Sequence, residues 1–500
     1  MELISHLGIG LEAVLTWQNL GYCFLGVLLG TLIGVLPGLG PVATIAMLLP
    51  VTYGLPPLSA LIMLAGIYYG AQYGGSTTAI LVNLPGESSS VVTCLDGYAM
   101  ARQGRAGVAL GIAALGSFFA GTVATLVIAA AALPLAEFAL KFGPAEYFSL
   151  MLLGLIAAVV LAQGDVFKAI AMVVAGLILG LVGTDVSSGA ERFTFGMPEL
   201  ADGISFVVLS MGLFGIAEIM INLERGSGRD VFSTRIGSLL PKREDLRQSV
   251  KPILRGTALG SLLGILPGGG AVLSSFSAYT LEKRIARDPS RFGKGAIEGV
   301  AGPEAANNAG AQTSFIPLLV MGLPSNAVMA LMVGAMMIHG IVPGPQVMEE
   351  RPALFWGLIV SMWIGNLFLV LLNMPLIGLW ARLLKVPYRL LYPVILLFCC
   401  VGVYSINNSA FDVGLTLFFG MLGYLFVKLN CEPAPLLLGF VLGPMMEENL
   451  RRAMLLARGN ALVFFERPIS LTLLIASALL LCVLAWPKAR KARDLAFQEN

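Results

Sequence analysis

Two short stretches of this chain gather hydroxyl, amide and carboxyl oxygens among apolar neighbours. The first runs Tyr73-Gly74-Gly75-Ser76-Thr77-Thr78, then Ala79-Ile80-Leu81-Val82, then Asn83-Leu84-Pro85-Gly86-Glu87-Ser88-Ser89-Ser90. The second holds Glu304, Asn307, Asn308, Gln312, Thr313 and Ser314, then Pro317, then Gly322-Leu323-Pro324-Ser325-Asn326. Oxygens of this kind suit a Na⁺ ion, and hydroxyl and amide donors hydrogen-bond a carboxylate. The sequence therefore nominates Ser76, Thr77, Asn83, Pro85, Gly86, Asn308, Gln312, Thr313, Pro324 and Ser325 as solute contacts, and Thr78, Asn307, Ser314 and Asn326 as Na⁺ ligands. The plainer alternative is that these side chains glue helices together, at about 1 kcal/mol or less per bond. Their clustering at matched positions favours a site. The apolar stretch between the polar ends of the first segment is too short to span a bilayer, which predicts a re-entrant hairpin with its tip near Pro85-Gly86.

A second signal is backbone rather than side chain. Gly34-Val-Leu-Pro37-Gly38-Leu-Gly40-Pro41 returns 230 positions later as Gly264-Ile-Leu-Pro267-Gly268-Gly269-Gly270. A break of this kind frees amides and carbonyls, each costing several kcal/mol in hydrocarbon unless protein or water satisfies it. One break alone would read as a packing kink. Matched breaks in both halves read as a transporter site, where helix-end amides offer partial positive charge to a carboxylate. Pro37, Gly38, Gly40, Pro267, Gly268 and Gly270 join the solute contacts on this ground.

Acids near these segments, Glu87, Asp96, Glu218, Glu304 and Glu447, are candidates for proton or cation coupling if they lie at membrane depth, and loop ends otherwise. His339 reads as a polar interface residue. No catalytic residue is nominated. There is no H-E-x-x-H and no G-x-x-x-x-G-K-[ST], and Gly74-Gly75-Ser76-Thr77 is not a nucleophile elbow. The six cysteines lack metal-ligand spacing and read as buried thiols, so no cofactor is expected beyond a coupling ion.

The elements that must position these groups are membrane helices. Apolar residues make up 57 % of the chain, charged ones 12 %, and mean hydropathy is +0.86. Apolar runs near 22–36, 108–133, 150–162, 169–182, 204–221, 354–374 and 471–486 predict about 10–14 spanning or re-entrant elements. The net charge of +2 and the lack of a basic patch interleaved with aromatics leave nucleic acid out. The amino terminus has no basic region and no cleavage site, so it does not read as a removable signal.

A duplication organises the chain. Gly26, Gly30 and Thr31 match Gly256, Gly260 and Ser261; Gly70-Ala71-Gln72 matches Gly310-Ala311-Gln312; Leu84-Pro85-Gly86 matches Leu323-Pro324-Ser325. Asp165-Val166 and Gly176 match Asp412-Val413 and Gly423. Repeat 1 is assigned to 20–223, a basic cytoplasmic linker to 224–251, repeat 2 to 252–446 and a further transmembrane helix to 468–487. Corresponding loops carry opposite charge bias, Arg102 and Arg105 against Glu349 and Glu350, and none near 50–57 against Lys283, Arg284, Arg287, Arg291 and Lys294. That favours inverted topology, although Arg451, Arg452, Arg458 and Arg467 run against it. The fold expected is an all-α polytopic membrane protein of two inverted repeats with broken helices and re-entrant hairpins.

The motifs Gly34–Pro41, Tyr73–Glu87, Gly264–Gly270, Gly299–Gln312, Gly322–Asn326 and His339–Pro345 together resemble the TctA family, the large membrane subunit of bacterial tripartite tricarboxylate transporters. The resemblance covers almost the whole chain. It implies uptake of organic carboxylates across the bacterial inner membrane, driven by an ion gradient, typically Na⁺. It also implies a small four-helix membrane subunit (TctB-like) and a periplasmic solute-binding protein (TctC-like). The identity of the carboxylate does not transfer. A channel-like pore or a membrane-embedded enzyme is the alternative reading.

Overall fold

The computed structural model describes residues 2–36, 40–162, 165–185, 188–225, 238–266, 270–384 and 388–485. The first half of the chain holds α1 (Glu2–Val14), α2 (Trp17–Gly34), α3 (Pro41–Leu48) and α4 (Pro57–Val82), then α5 (Ala106–Ala139), α6 (Pro144–Leu161), α7 (Val166–Gly180) and α8 (Phe206–Glu224). The second half holds α9 (Arg243–Leu263), α10 (Gly270–Ile285), α11 (Glu298–Thr313), α12 (Ala327–Ile338), α13 (Pro352–Asn373), α14 (Tyr388–Asn407), α15 (Ala410–Lys428), α16 (Pro433–Leu456) and α17 (Pro468–Ala485). Prolines open α4, α6, α13 and α16, at first-turn positions whose N–H has no helical acceptor anyway. Strand structure among the described residues is one two-residue antiparallel ladder, Gly183–Thr184 against Glu191–Arg192.

Among the described residues, four helices can cross a membrane by length and composition: Ala101–Ala139, Phe206–Glu224, Pro352–Asn373 and Ala410–Lys428. The pair Leu3–Val14 and Trp17–Gly34, bent by 83°, would make a fifth. Several shorter apolar helices accompany them. The chain is therefore a multi-pass, all-α membrane protein.

Neither α4 nor α11 is among those apolar spans, and the reason is where they sit. Every residue from Ser59 to Leu81 and from Gly299 to Thr313 is buried by protein. Helices enclosed by other helices can carry Gly, Ser, Thr, Asn and Glu at depths where lipid contact would forbid them. The polar run Gly74–Thr78 accordingly lies inside one 26-residue helix and does not end it. The glycines there serve packing, and the hydroxyls of Ser76, Thr77 and Thr78 bond back to the carbonyls of Gln72, Tyr73 and Gly74.

Glycine ladders hold the two central helices. On α2, Gly26, Gly30 and Gly34 press on the backbone of Met63, Ile67 and Ala71, and Gly70 and Gly74 press back. A β-carbon would stand 2.5 Å from the Val27 carbonyl oxygen at Gly70 and 2.6 Å from that of Thr31 at Gly74, so only glycine permits this approach. On α9, Gly256, Gly260 and Gly264 meet Gly302, Ala306 and Gly310 in the same way. Contacts advance in step, so α2 runs parallel to α4 and α9 parallel to α11. The packing register places Gly310 opposite Gly264 as Ala71 lies opposite Gly34, an offset of 239 between α4 and α11. The identical Gly-Ala-Gln triplets, 240 apart, are thus one residue out of structural register.

Between the halves, Ser76 meets Glu304 while Tyr68 and Tyr69 meet Phe315, so α4 and α11 are antiparallel. After each central helix the chain folds back along it. Asn83, with φ 57°, ends α4, and Gly86 then packs directly on Gly75. Gly322, with φ 72°, makes the second reversal, and Ser325 donates to the Ser314 carbonyl at 3.3 Å.

Two assigned boundaries differ from the elements. α9 begins at Arg243, within the linker assigned to 224–251, and residues 226–237 of that linker lie outside the described residues. α16 continues through Met446 to Leu456. Of the arginines that run against inversion, Arg451 pairs with Asp185 and Glu447, Arg452 with Glu448 and Arg467 with buried Glu146.

Candidate functional site

The antiparallel contact of α4 and α11 brings an acid from each half of the chain into the protein interior. Glu304, 1 % exposed on α11, accepts hydrogen bonds from Ser76 Oγ of α4 at 2.7 Å and from Thr93 Oγ1. Its backbone carbonyl accepts from Asn308 Nδ2 at 3.2 Å, and that amide also donates to Ser117 Oγ of α5 at 2.7 Å. Glu87, half-buried in the first fold-back, accepts from Ser89 Oγ and, at 3.4 Å, from Asn307 Nδ2. Ser89 Oγ also lies 3.1 Å from Gln72 Oε1, and the Ser89 carbonyl accepts from Ser275 Oγ of α10 at 2.7 Å. Among the described residues no Lys, Arg or His forms an ion pair with Glu87 or Glu304.

The other acids are placed differently. Asp96 accepts from the backbone N–H of Gly295 and Ala296, both at 2.8 Å, and from Tyr279 Oη at 3.0 Å, which pins the entry to α11. Glu447 pairs with Arg192 and Arg451, and Glu218 accepts from Asn222 Nδ2 at 3.0 Å. These acids stabilise local structure.

A narrow cleft reaches Glu304. Ser76, Thr77, Tyr73, Ser117 and Asn373 supply its polar wall, and Leu239, from the stretch assigned to the central linker, lies along it. Its accessible space of ≈ 20 Å³ takes about one water molecule, far less than a tricarboxylate needs. A solute of that size would require α4, α5 and α11 to separate.

Of the residues nominated from sequence, Ser76, Thr77 and Asn308 gather at or beside this cleft. Asn307 stands by Glu87. A second group forms at the repeat 2 fold-back: Ser314 Oγ donates to the Gly310 carbonyl at 2.7 Å, Asn326 Nδ2 reaches Ser314 Oγ at 3.3 Å, and Gly270 and Ser325 adjoin them. Gln312 is buried in the same region with Oε1 unbonded, and Thr313 donates to the Ala309 carbonyl and abuts Gly264. Thr78 belongs to the repeat 1 break, donating to the Val35 carbonyl at 2.9 Å. Thr78, Asn307, Ser314 and Asn326 are thus spread over three places. Gly40 adjoins the Gly86 carbonyl, whereas Asn83 and Pro85 sit at the more exposed end of α4. Pro324 lies with Ser325 in the second reversal. Pro37, Gly38, Pro267 and Gly268 lie outside the described residues.

Sequence reasoning passed over Thr93, Ser117 and Ser275. Ser117 shares the Ala- and Gly-rich run of α5 with Thr122 and Thr125, so its residue type alone did not single it out. No group of three or more His, Cys, Asp or Glu among the described residues could hold a metal ion, so any cation bound here would rest mainly on neutral oxygens.

The sequence model of the tripartite tricarboxylate transporter TctA family matches residues 20–438. An uncharacterized 52.8 kDa protein in the TAR-I ttuC' 3' region of Agrobacterium vitis is 59 % identical over 500 residues, all of both chains. An uncharacterized protein in the TAR-II ttuC' 3' region of the same organism is 58 % identical over 241 residues, 48 % of this chain and all of that one. No solved structure matches.

Proposed function

Since the chain belongs to the TctA family of tripartite tricarboxylate transporters, we propose that it is the ion-coupled translocating subunit that carries organic carboxylates across the bacterial inner membrane. The observation that carries this reading is a pair of acids, Glu304, buried on α11, and Glu87, half-buried in the first fold-back, neither with a basic partner among the described residues. An uncompensated carboxylate is expensive inside a membrane protein unless it exchanges a proton or holds a cation, which is what coupling requires. Na⁺ is the coupling ion we favour, given the neutral oxygens around Glu87 and in the two breaks. Solute would occupy the cleft beside Glu304, reached by Ser76, Thr77 and Asn308, with the Pro-Gly breaks and the second fold-back (Gly40, Gly270, Gln312, Ser325) presenting backbone amides and side-chain donors.

The opposite course of α4 and α11, each parallel to its own partner, supports two inverted halves. A cleft with room for about one water favours alternating access over a standing pore. A periplasmic binding protein would deliver the solute and a small membrane subunit would complete the assembly. The test is uptake of a panel of di- and tricarboxylates in proteoliposomes containing all three components. Uptake should need an imposed cation gradient and proceed without ATP. Uptake that survives collapse of both Na⁺ and proton gradients but stops without ATP overturns the reading.

A further inference from the structure

The two buried acids differ in how many hydrogens surround them. Each carboxyl oxygen of Glu304 has a hydroxyl beside it, Thr93 and Ser76, although the single Ser76 hydrogen is shared with the Gln72 carbonyl at 3.1 Å. Around Glu87 the count falls short. The Ser89 hydroxyl carries one hydrogen yet lies within bonding distance of both Glu87 Oε1 and Gln72 Oε1. Asn307 turns its Nδ2 toward Glu87, while its Oδ1, on a residue 1 % exposed, meets no donor at all. Glu87, Ser89 and Gln72 thus crowd oxygen acceptors around one hydroxyl proton, and turning over the Asn307 amide would add its unbonded Oδ1 to them. One added proton would satisfy one acceptor. A small cation satisfies several at once, because carboxylate, hydroxyl and amide oxygens are all hard ligands.

From this surplus we propose that Glu87, Ser89, Gln72 and Asn307 form a monovalent-cation site, distinct from Glu304, and that Na⁺ occupies it. The proposal rests on the ion-coupled reading above and assigns that ion a place. Glu87 supplies the single negative charge, which suits a monovalent ion. The ligands come from three segments: Gln72 from α4, Glu87 and Ser89 from the first fold-back, and Asn307 from α11. Ser275 of α10 holds the Ser89 carbonyl and ties the fold-back to repeat 2. A bound cation would draw the fold-back onto α11, and its departure would leave like partial charges facing one another there. Ion occupancy would in this way set whether the two halves are clamped together.

The experiment is thermal melting of the purified full-length chain against NaCl, with choline chloride holding ionic strength constant and pH fixed. The wild-type midpoint should rise saturably with Na⁺. Glu87→Gln and Asn307→Ala should lose that response, with apparent Na⁺ affinity weakened about tenfold or more, a loss of one dissociation-constant decade. Glu304→Gln should keep it. If Glu87→Gln does not fold, Ser89→Ala and Gln72→Ala give the same readout. A Na⁺ response that survives in these variants overturns the site while leaving Na⁺ coupling intact. A wild-type midpoint that does not respond to Na⁺ overturns both the site and the Na⁺ reading.

Discussion

The two fold-backs share a backbone and differ in chemistry. Gly86 packs on Gly75 in the first, and Ser325 bonds Ser314 in the second, both pairs related by the same 239-residue offset that relates α4 to α11. At that offset Glu87 corresponds to Asn326. Asn326 is fully engaged: its Oδ1 accepts from Met329 N at 3.0 Å to cap the 12-residue apolar helix α12, and its Nδ2 reaches Ser314. Glu87 also stands before a helical run, Ser88–Ser90 continuing through Val91–Thr93 to Cys94–Tyr98, but its side chain makes no cap hydrogen bond there and its carboxylate faces Ser89 and Asn307. A duplicated scaffold therefore carries its charge on one side. Close packing at the 86/75 and 325/314 pairs holds each reversal, and one side chain decides whether the reversal caps a helix or offers a negative site.

The comparison can be broken first at the scaffold. Gly30→Leu and Gly260→Leu sit at equivalent ladder positions against Ile67 and Ala306 backbone, and each should cost about 3 kcal/mol or more, enough to abolish a monodisperse peak in size-exclusion chromatography. If only one of the two does so, the ladders are not equivalent. Leucine at Gly38 or Gly268 tests the sequence reading of the breaks: uptake should vanish while membrane insertion persists.

At the cleft, Ser76→Ala, Thr77→Ala and Asn308→Ala should each weaken solute affinity by about 5- to 150-fold, corresponding to about 1–3 kcal/mol, with little change in melting temperature. Asn83→Ala, at the exposed end of α4, should leave affinity unchanged. Isothermal titration with a transported solute, beside a melt of each variant, separates the two outcomes. Loss of stability without loss of affinity in all three cleft variants would return them to helix glue. Smallest of all, Arg452→Gln removes an exposed ion pair with Glu448 and should shift stability by about 1 kcal/mol or less.

The helical membrane class was legible because composition and run length answer to the bilayer alone. The glycine ladder was legible too, since Gly26, Gly30, Gly256 and Gly260 repeat at the four-residue spacing that brings helices together. What misled was a polar run taken as a boundary. The stretch Ala79–Val82 read as a short apolar segment bounded by the hydroxyls of Ser76–Thr78, but those hydroxyls and Gly74 and Gly75 lie inside one helix enclosed by protein, where glycine permits backbone contact without ending it. The Gly-Ala-Gln match slipped by one because identity of letters aligned it, whereas the packing against Gly34 and Gly264 fixes the register. Thr93, Ser117 and Ser275 were invisible as site residues because their contacts with 304, 308 and 89 join segments far apart in the chain, which no local spacing encodes.

The most direct measurement is Na⁺-driven accumulation by Glu87→Asn, the substitution that gives repeat 1 the residue repeat 2 already has. In proteoliposomes with the binding protein and small subunit, the variant should lose accumulation under an inward Na⁺ gradient yet still exchange internal for external carboxylate. Accumulation at the wild-type rate and with wild-type Na⁺ dependence would contradict the account, and would place the coupling charge elsewhere than on the first fold-back.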